Sequence, residues 1–215
     1  MKRIKVWMII GLILSVEGIR CQDFNYSDSL LKRKNIIHLL GYSRVLERFR
    51  QPVILTTDIP LGIGIDINQG IQLEQTGLSA GGHILIRNKN KFKTAVKSHL
   101  TMVGMYSESF TIYDLSFRTE VLSGWYSPHW FLAVAINTTL PIVRNFSFAS
   151  ETYRNLYNPP SGWYHPEGVG FGYGAIIGYT IKQRSDIILR FDKGFYNYGY
   201  YLSLDNFSIQ INYRF

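Results

Sequence analysis

Cysteine, long apolar runs and blocks of like charge are scarce or missing in this chain. Its 215 residues include one cysteine, Cys21, so no disulfide can form within the chain. No apolar run reaches the roughly 18 residues that a membrane-spanning helix needs. The formal net charge is +8, but no five like charges are contiguous, whereas a nucleic-acid-binding face needs a concentrated basic patch. We therefore expect neither a helical membrane protein nor a nucleic-acid partner.

Sequence signals for metals and cofactors are also missing. A zinc site on a helix typically uses two histidines four positions apart, and no such pair occurs. The glycines of Gly168–Gly174 alternate with other residues, which is a strand period and not a phosphate-binding loop. The sequence predicts no metal and no cofactor. The histidines are His38, His83, His99, His129 and His165.

The chain is rich in aromatic residues and glycine. Aromatics make up 15% of it, with 15 Tyr and 13 Phe, and there are 19 Gly. Many aromatics and glycines without long apolar runs favour an all-β barrel over an ordinary enzyme fold.

The last eleven residues, Asp205–Phe215, alternate strictly between apolar and polar side chains. Successive side chains of a strand point to opposite faces, so one face here is apolar and ends in an aromatic. This ending resembles the C-terminal strand of bacterial outer-membrane β-barrels, whose final aromatic belongs to the signal read by the barrel-insertion machinery. The resemblance implies a transmembrane antiparallel barrel with lipid, lipopolysaccharide and that machinery as partners. The signal residues would be Phe207, Ile209, Ile211, Tyr213 and Phe215.

Residues 1–21 have the pattern of a secretory signal peptide, with basic residues followed by the apolar core Val6–Val16. Cleavage after Cys21 would leave Gln22 first, a start that resembles exported proteins of Bacteroidetes; cleavage after Gly18 is the alternative. The expected location is the outer membrane.

In residues 80–215, apolar and polar side chains alternate regularly enough to predict eight strands. Counted back from Phe215, the outer loops would lie near 88–91, 122–128, 150–167 and 193–204, and the inner turns near 106–109, 138–141 and 182–185. The predicted strands are His83–Arg87, Lys91–Met105, Phe110–Val121, His129–Asn137, Ile142–Ala149, Gly168–Ile181, Asp186–Asp192 and the final one.

Residues 22–79 predict a periplasmic extension ahead of the barrel. Apolar and basic residues between 23 and 52 recur at loosely helical spacing, interrupted by Gly41 and ended by Pro52, which predicts a short amphipathic helix. Residues 53–79 could supply one hairpin, and the barrel would then have ten strands.

The polar faces of the predicted strands carry charges of both signs. An eight-stranded barrel has room inside only for its own side chains, so these charges should pair in the lumen. A conducting pore is the alternative, and ten strands would favour it. The residues of this lumen charge cluster are Lys93, Lys97, His99, Asp114, Arg118, Glu120, Arg190 and Asp192.

One catalytic hypothesis comes from a resemblance in size to outer-membrane lipid A deacylases, which use a His and a Ser two residues apart on a strand. The nearest equivalent here is His99 and Thr101, with Glu120 as a possible orienting group. The deacylase site faces lipid and uses Ser, so two features disagree, and we expect no enzyme.

A loop rich in aromatics and prolines precedes residue 168. Exposed aromatics on a rigid loop suit recognition of a partner, and an interfacial aromatic girdle together with Trp125, Tyr126 and Trp130 is the alternative. The loop aromatics are Tyr153, Tyr157, Trp163 and Tyr164. We expect a non-enzymatic envelope component that binds a partner through loops or the N-terminal extension, with a small channel and a lipid A-modifying enzyme as alternatives.

Overall fold

The computed structural model describes most of the chain from Asp23 onward, and every regular element within that part is a β-strand. The described residues are 23, 26–27, 35–38, 41–46, 53–58, 61–66, 71–149, 162–197 and 201–215. The predicted signal peptide, residues 1–21, and its cleavage site lie outside them.

Twelve strands form one antiparallel sheet. Each of the longer ones alternates buried and exposed residues, as period-two patterning requires. The strands are β1 (Asn35–His38), β2 (Gly41–Leu46), β3 (Val53–Asp58), β4 (Leu61–Asp66), β5 (Ile71–Lys89), β6 (Phe92–Tyr106), β7 (Phe110–Tyr126), β8 (Trp130–Phe148), β9 (Gly162–Tyr164), β10 (Gly170–Ile181), β11 (Ser185–Asn197) and β12 (Tyr201–Arg214).

The sheet closes into a barrel because β1 pairs with β12. The closed ring runs β1, β2, β3, β5, β6, β7, β8, β10, β11, β12 and back to β1, which is ten strands. β9 pairs with residues 144–146 of β8, beyond the part of β8 that pairs with β10. The all-β antiparallel barrel predicted from the sequence is therefore confirmed. The predicted count of eight is wrong, and the alternative count of ten is the observed one.

The ring is narrower at the level of β4. β3 pairs with residues 79–84 of β5, and β4 pairs with residues 71–76 of the same strand. β4 also pairs with β12, at Ile65 and Asp205, so at this level β4 replaces β1, β2 and β3 and the ring contains eight strands. β1 and β2 have only 4 and 6 residues against 19 in β5, so their hairpin widens only one end of the barrel.

The predicted amphipathic helix is wrong where the structure describes it, because β1 and β2 occupy this region. Ile36 is 2% exposed and its neighbour Ile37 is 48% exposed, which is the alternation of a strand. Pairing of β1 with β12 and of β2 with β3 overrides the weak helical spacing. Among the described residues, those from Asn35 onward therefore contribute strands to the barrel sheet.

A bulge in β8 explains why two strands were predicted where one exists. Leu115 pairs with Val143 but the next residue, Ser116, pairs with Pro141, so Ile142 is an extra residue. Proline donates no backbone hydrogen bond and is tolerated within sheets at such bulges. The side chains that point inward are at odd positions before the bulge and at even positions after it. In the sequence, this break in the alternation has the same appearance as a turn between two strands. The predicted turn at 138–141 is therefore wrong.

Because residues 138–141 form no turn, the connections that precede them lie at the opposite end of the barrel from the one predicted. The tight turns after β5, β7 and β10 lie with Phe215 at one end, which we call the turn end. β4, β6, β8 and β11 end at the other end of the barrel, the loop end. The predicted assignment of 88–91 and 122–128 to the opposite side from Phe215 is wrong, as is that of 106–109 to its own side.

Candidate functional site

The outer wall of the barrel is apolar. Outward side chains in the middle of the strands are strongly exposed, such as Ile136 at 65% and Val134 at 60%. On β10 the outward residues are large and apolar while the inward ones are mainly glycine. Water-soluble monomers rarely expose apolar surface on this scale.

Aromatic residues border this apolar wall. Trp125 and Tyr113 are both exposed and lie twelve residues apart on β7, or about 40 Å along the strand. Tyr126, predicted to lie in the same aromatic layer, instead points inward and stacks on Phe131, with ring centroids 5.2 Å apart. Exposed aromatics near the turn end include Phe92, Trp125, Trp130, Tyr179, Tyr213 and Phe215, and those nearer the loop end include Tyr113, Phe117, Phe171, Tyr173, Phe191 and Phe207.

The lumen is polar and charged at mid-height. All eight residues of the predicted lumen charge cluster are buried: Lys93, Lys97, His99, Asp114, Arg118, Glu120, Arg190 and Asp192. Five of them, on β6, β7 and β11, are joined by direct contacts.

Arg190 is the centre of these contacts. Its Nε and NH2 atoms donate to the two carboxylate oxygens of Asp192, each at 2.7 Å. It also donates to both carboxylate oxygens of Glu120, with NH1 to Oε1 at 3.1 Å. Glu120 in turn lies 3.2 Å from Lys97 Nζ and 3.5 Å from Arg118. Forked contacts of this kind are the strong form of ion pair, and they fix side-chain geometry.

Asp23, which belongs to no strand, completes this group from inside the lumen. Lys97 Nζ donates to Asp23 Oδ1 at 2.7 Å, and Arg190 NH1 lies 3.0 Å from Oδ2. We call Asp23, Lys97, Arg118, Glu120, Arg190 and Asp192 the central network. Its described ion pairs join three positive and three negative side chains, and Asp23 supplies one of the three carboxylates.

Two further buried ion pairs lie outside the central network. Arg144 Nε donates to Asp114 Oδ1 at 2.7 Å. Arg214 binds Asp186, whose Oδ1 also accepts from Thr180 at 2.7 Å. The sequence analysis missed Arg144 because the bulge reverses its face. Arg214 and Asp186 could have been found, since both lie on the polar faces of predicted strands.

The catalytic hypothesis gains nothing from the geometry. His99 and Thr101 are both buried on the inner face of β6. A deacylase site would instead lie on the outer face of the barrel. The two nitrogens of the His99 ring make no hydrogen bond to any described residue. The ring instead packs against His83, with centroids 5.2 Å apart. Glu120, the possible orienting group, is held by Arg190 and Lys97.

The C-terminal strand presents its predicted signal residues outward. Four are strongly exposed and Ile209 is half-buried, while the residues between them point into the lumen: Phe207, Ile209, Ile211, Tyr213 and Phe215 outside, and Ser208, Gln210, Asn212 and Arg214 inside.

Of the predicted recognition aromatics, Tyr153 and Tyr157 lie outside the described residues. Trp163 is 69% exposed on β9, at the loop end, and Tyr164 beside it is half-buried. β9 is held by pairing with Arg144–Phe146 of β8. His165 adds a 2.8 Å hydrogen bond between its Nδ1 and the carbonyl oxygen of Ile142.

A scan against protein-family models and a search of curated proteins found no match for this chain. In the part of the chain that the structure describes, no helix is long and apolar enough to cross a membrane. Among those same residues, no three His, Cys, Asp or Glu side chains are grouped as metal ligands.

Proposed function

We propose that this chain is an integral outer-membrane barrel that serves as a non-enzymatic component of the cell envelope. One observation carries the proposal: large apolar side chains cover the outside, whereas the inside holds many buried charged and polar side chains beside an apolar cluster. Lipid is the environment in which this inverted arrangement is stable, because a closed barrel satisfies all backbone hydrogen bonds internally.

The dimensions support the same location. The rise along β7 between Trp125 and Tyr113, about 40 Å, becomes about 30 Å of height at the usual strand tilt of roughly 40°. An outer-membrane barrel has an apolar band of about 25 Å flanked by aromatic girdles. The proposed partners are therefore outer-membrane lipid, lipopolysaccharide and, through the C-terminal strand, the insertion machinery.

The loop end is the proposed side for a protein partner. Trp163 is exposed there on a strand anchored to β8, and rigid exposed aromatics are typical anchors of interfaces. A Trp163→Ala substitution should weaken capture of that partner while leaving the barrel folded.

A gel comparison of unheated and boiled protein, extracted in detergent from an outer-membrane fraction, tests the location. Closed barrels resist unfolding until heated, so we expect a heat-dependent change in mobility. Recovery of the protein in the soluble fraction, with identical mobility before and after boiling, would contradict the proposal.

A small channel is the second candidate, and the ring of ten strands favours it. Asp23, Tyr26 and Ser27 are buried in the lumen although they belong to no strand of the wall, so they would obstruct such a channel. Planar-bilayer recordings should show little conductance for the parent protein and a higher conductance for Asp23→Gly. Equal, low conductance in both would dismiss this candidate.

A further inference from the structure

Three described residues near the N-terminus lie across the lumen, and we call them the plug residues: Asp23, Tyr26 and Ser27. They are 1%, 1% and 4% exposed. Asp23 contacts β6, β11 and β12, whereas the Tyr26 hydroxyl hydrogen-bonds to His83 Nδ1 on β5 at 2.8 Å. The Tyr26 ring also packs against Tyr126 of β7, 5.3 Å away. In the ten-strand ring β12 and β6 are five positions apart, so the plug residues join opposite walls.

The wall provides a complete set of donors for the Asp23 carboxylate. Lys97 Nζ lies 2.7 Å from Oδ1, and Arg190 NH1 lies 3.1 Å from Oδ1 and 3.0 Å from Oδ2. The Asp23 main chain is held as well, because its N–H donates to Gln210 Oε1 at 3.0 Å and its carbonyl accepts from Asn212 Nδ2 at 2.7 Å. All four wall residues belong to strands, so these donors are fixed in the barrel.

We propose that Lys97 and Arg190 form a carboxylate-binding site in the barrel wall, which Asp23 occupies as a tethered ligand. A small free carboxylate takes its place when the plug residues withdraw. The other two carboxylates of the central network, Glu120 and Asp192, come from strands and cannot leave. Asp23 is the one anion of the network that belongs to no strand.

Charge balance gives the reason for a replacement ligand. With Asp23 present, the central network has three positive and three negative side chains. Without it, Lys97 and Arg190 lose a buried carboxylate partner, and the loss of such a partner is costly for a buried cation unless an anion or water replaces it. The emptied site therefore attracts an anion.

The same contacts select the kind of anion. The deficit is one negative charge, and the neighbouring carboxylates of Glu120 and Asp192 would repel a doubly charged sulfate or phosphate. Two oxygens in one plane match the Asp23 group that the donors already hold, which chloride cannot reproduce. A small monocarboxylate, such as formate or acetate, meets both conditions. The inference does not depend on whether the outer wall faces lipid.

Chemical rescue of Asp23→Gly tests the site. In the detergent-solubilised full chain, we expect this substitution to lower the thermal unfolding midpoint by about 10 °C. Sodium formate or acetate should restore most of that loss, while sodium chloride and sulfate at equal ionic strength should not. In the matched control Asp23→Gly/Lys97→Met, the cation that binds Oδ1 is missing and rescue should disappear. An unchanged midpoint in Asp23→Gly, or equal recovery with chloride, would overturn the proposal.

A labelling measurement tests withdrawal and covers the case in which Asp23→Gly does not fold. Ser27→Cys, in a chain whose Cys21 is replaced by serine, should react slowly with a water-soluble maleimide because position 27 is buried. Adding the near-isosteric Asp23→Asn substitution should increase the labelling rate at least tenfold. Formate should not lower this rate, because formate replaces the Asp23 carboxylate and does not return the plug residues to the lumen. Fast labelling without Asp23→Asn, or slow labelling with it, would contradict the inference.

Discussion

Glu120 is a single residue whose charge holds several others in place. It contacts Lys97, Arg118 and Arg190, all inside the barrel. Glu120→Gln keeps the shape of the side chain but leaves the central network with one excess positive charge. Because breaking a buried pair leaves an uncompensated charge, we expect a loss of about 3–5 kcal/mol in the free energy of unfolding.

Thermal or denaturant unfolding of the detergent-solubilised protein measures that loss. Glu108→Gln is the matched control, because Glu108 is exposed in the turn between β6 and β7. This substitution should change the free energy of unfolding by less than about 1 kcal/mol. Equal effects of the two substitutions would show that the central network does not stabilise the barrel.

Gly178 makes room for an aromatic ring inside the turn end. A Cβ atom there would collide with the ring of Phe131, which stacks on Tyr126. We expect Gly178→Ala to cost about 1–3 kcal/mol through overpacking. The cost should shrink when Phe131→Leu is also present, because the obstacle is a side chain.

Gly124→Ala is the control for this double-mutant cycle. Its Cβ would meet the backbone of Leu132 and Ala133, which no side-chain substitution removes. The unfolding free energies of the four-membered cycle provide the measurement. The packing explanation would be refuted if Gly178→Ala lowered the free energy of unfolding by the same amount in the parent protein and in the Phe131→Leu variant.

At the residue scale, the strands' polar faces identified the buried charges, because alternation alone assigns a side chain to the lumen. Asp23 could not be found in this way. It belongs to no strand, and only long-range contacts with Lys97 and Arg190 give it a role. Arg144 was missed for a local reason, the extra residue Ile142, which reverses the alternation.

At the scale of elements, the seam beside β12 has few paired residues, as does the β1–β2 ladder with four pairs. β1 pairs with β12 at three positions and β4 at one, whereas β11 pairs with β12 along thirteen. Fewer ladder hydrogen bonds hold this seam, so we expect opening to begin there.

A reversible cross-link tests the seam. Ile37 and Tyr213 are directly opposed and both exposed, so cysteines placed there in a Cys21→Ser chain can be joined by a short bifunctional thiol reagent. We expect the unfolding temperature to rise by about 5–10 °C. The same link between Ile177 and Leu189, across the long β10–β11 ladder, should raise it less. A larger rise at the control position would contradict the seam account.

Strand elements were predictable where alternation is long and regular, as in β7, β10 and β12. The segments that close the ring were not, because β1 to β4 have at most six residues each and their local pattern does not separate strand from helix. Their conformation is decided by partners far away in sequence, such as β12 for β1.

At the scale of the whole molecule, the barrel has an apolar outside and a charged inside, with a ring of ten strands at the turn end and eight at the level of β4. The inverted distribution is the main reason to place it in a membrane. The narrowing leaves the widest part of the lumen around β1 and β2, on the side of the barrel where the N-terminal residues enter the sheet.

The most direct test of the membrane account is the accessibility of spin labels on protein reconstituted into lipid vesicles. In a Cys21→Ser chain, labels are attached to Ile136→Cys on the outer wall and to Arg184→Cys in the exposed turn after β10. Oxygen concentrates in lipid, and a nickel chelate remains in water. We predict that the label at 136 collides more often with oxygen and the label at 184 more often with nickel. A label at 136 that collides mainly with nickel would place the apolar wall in water and contradict the account.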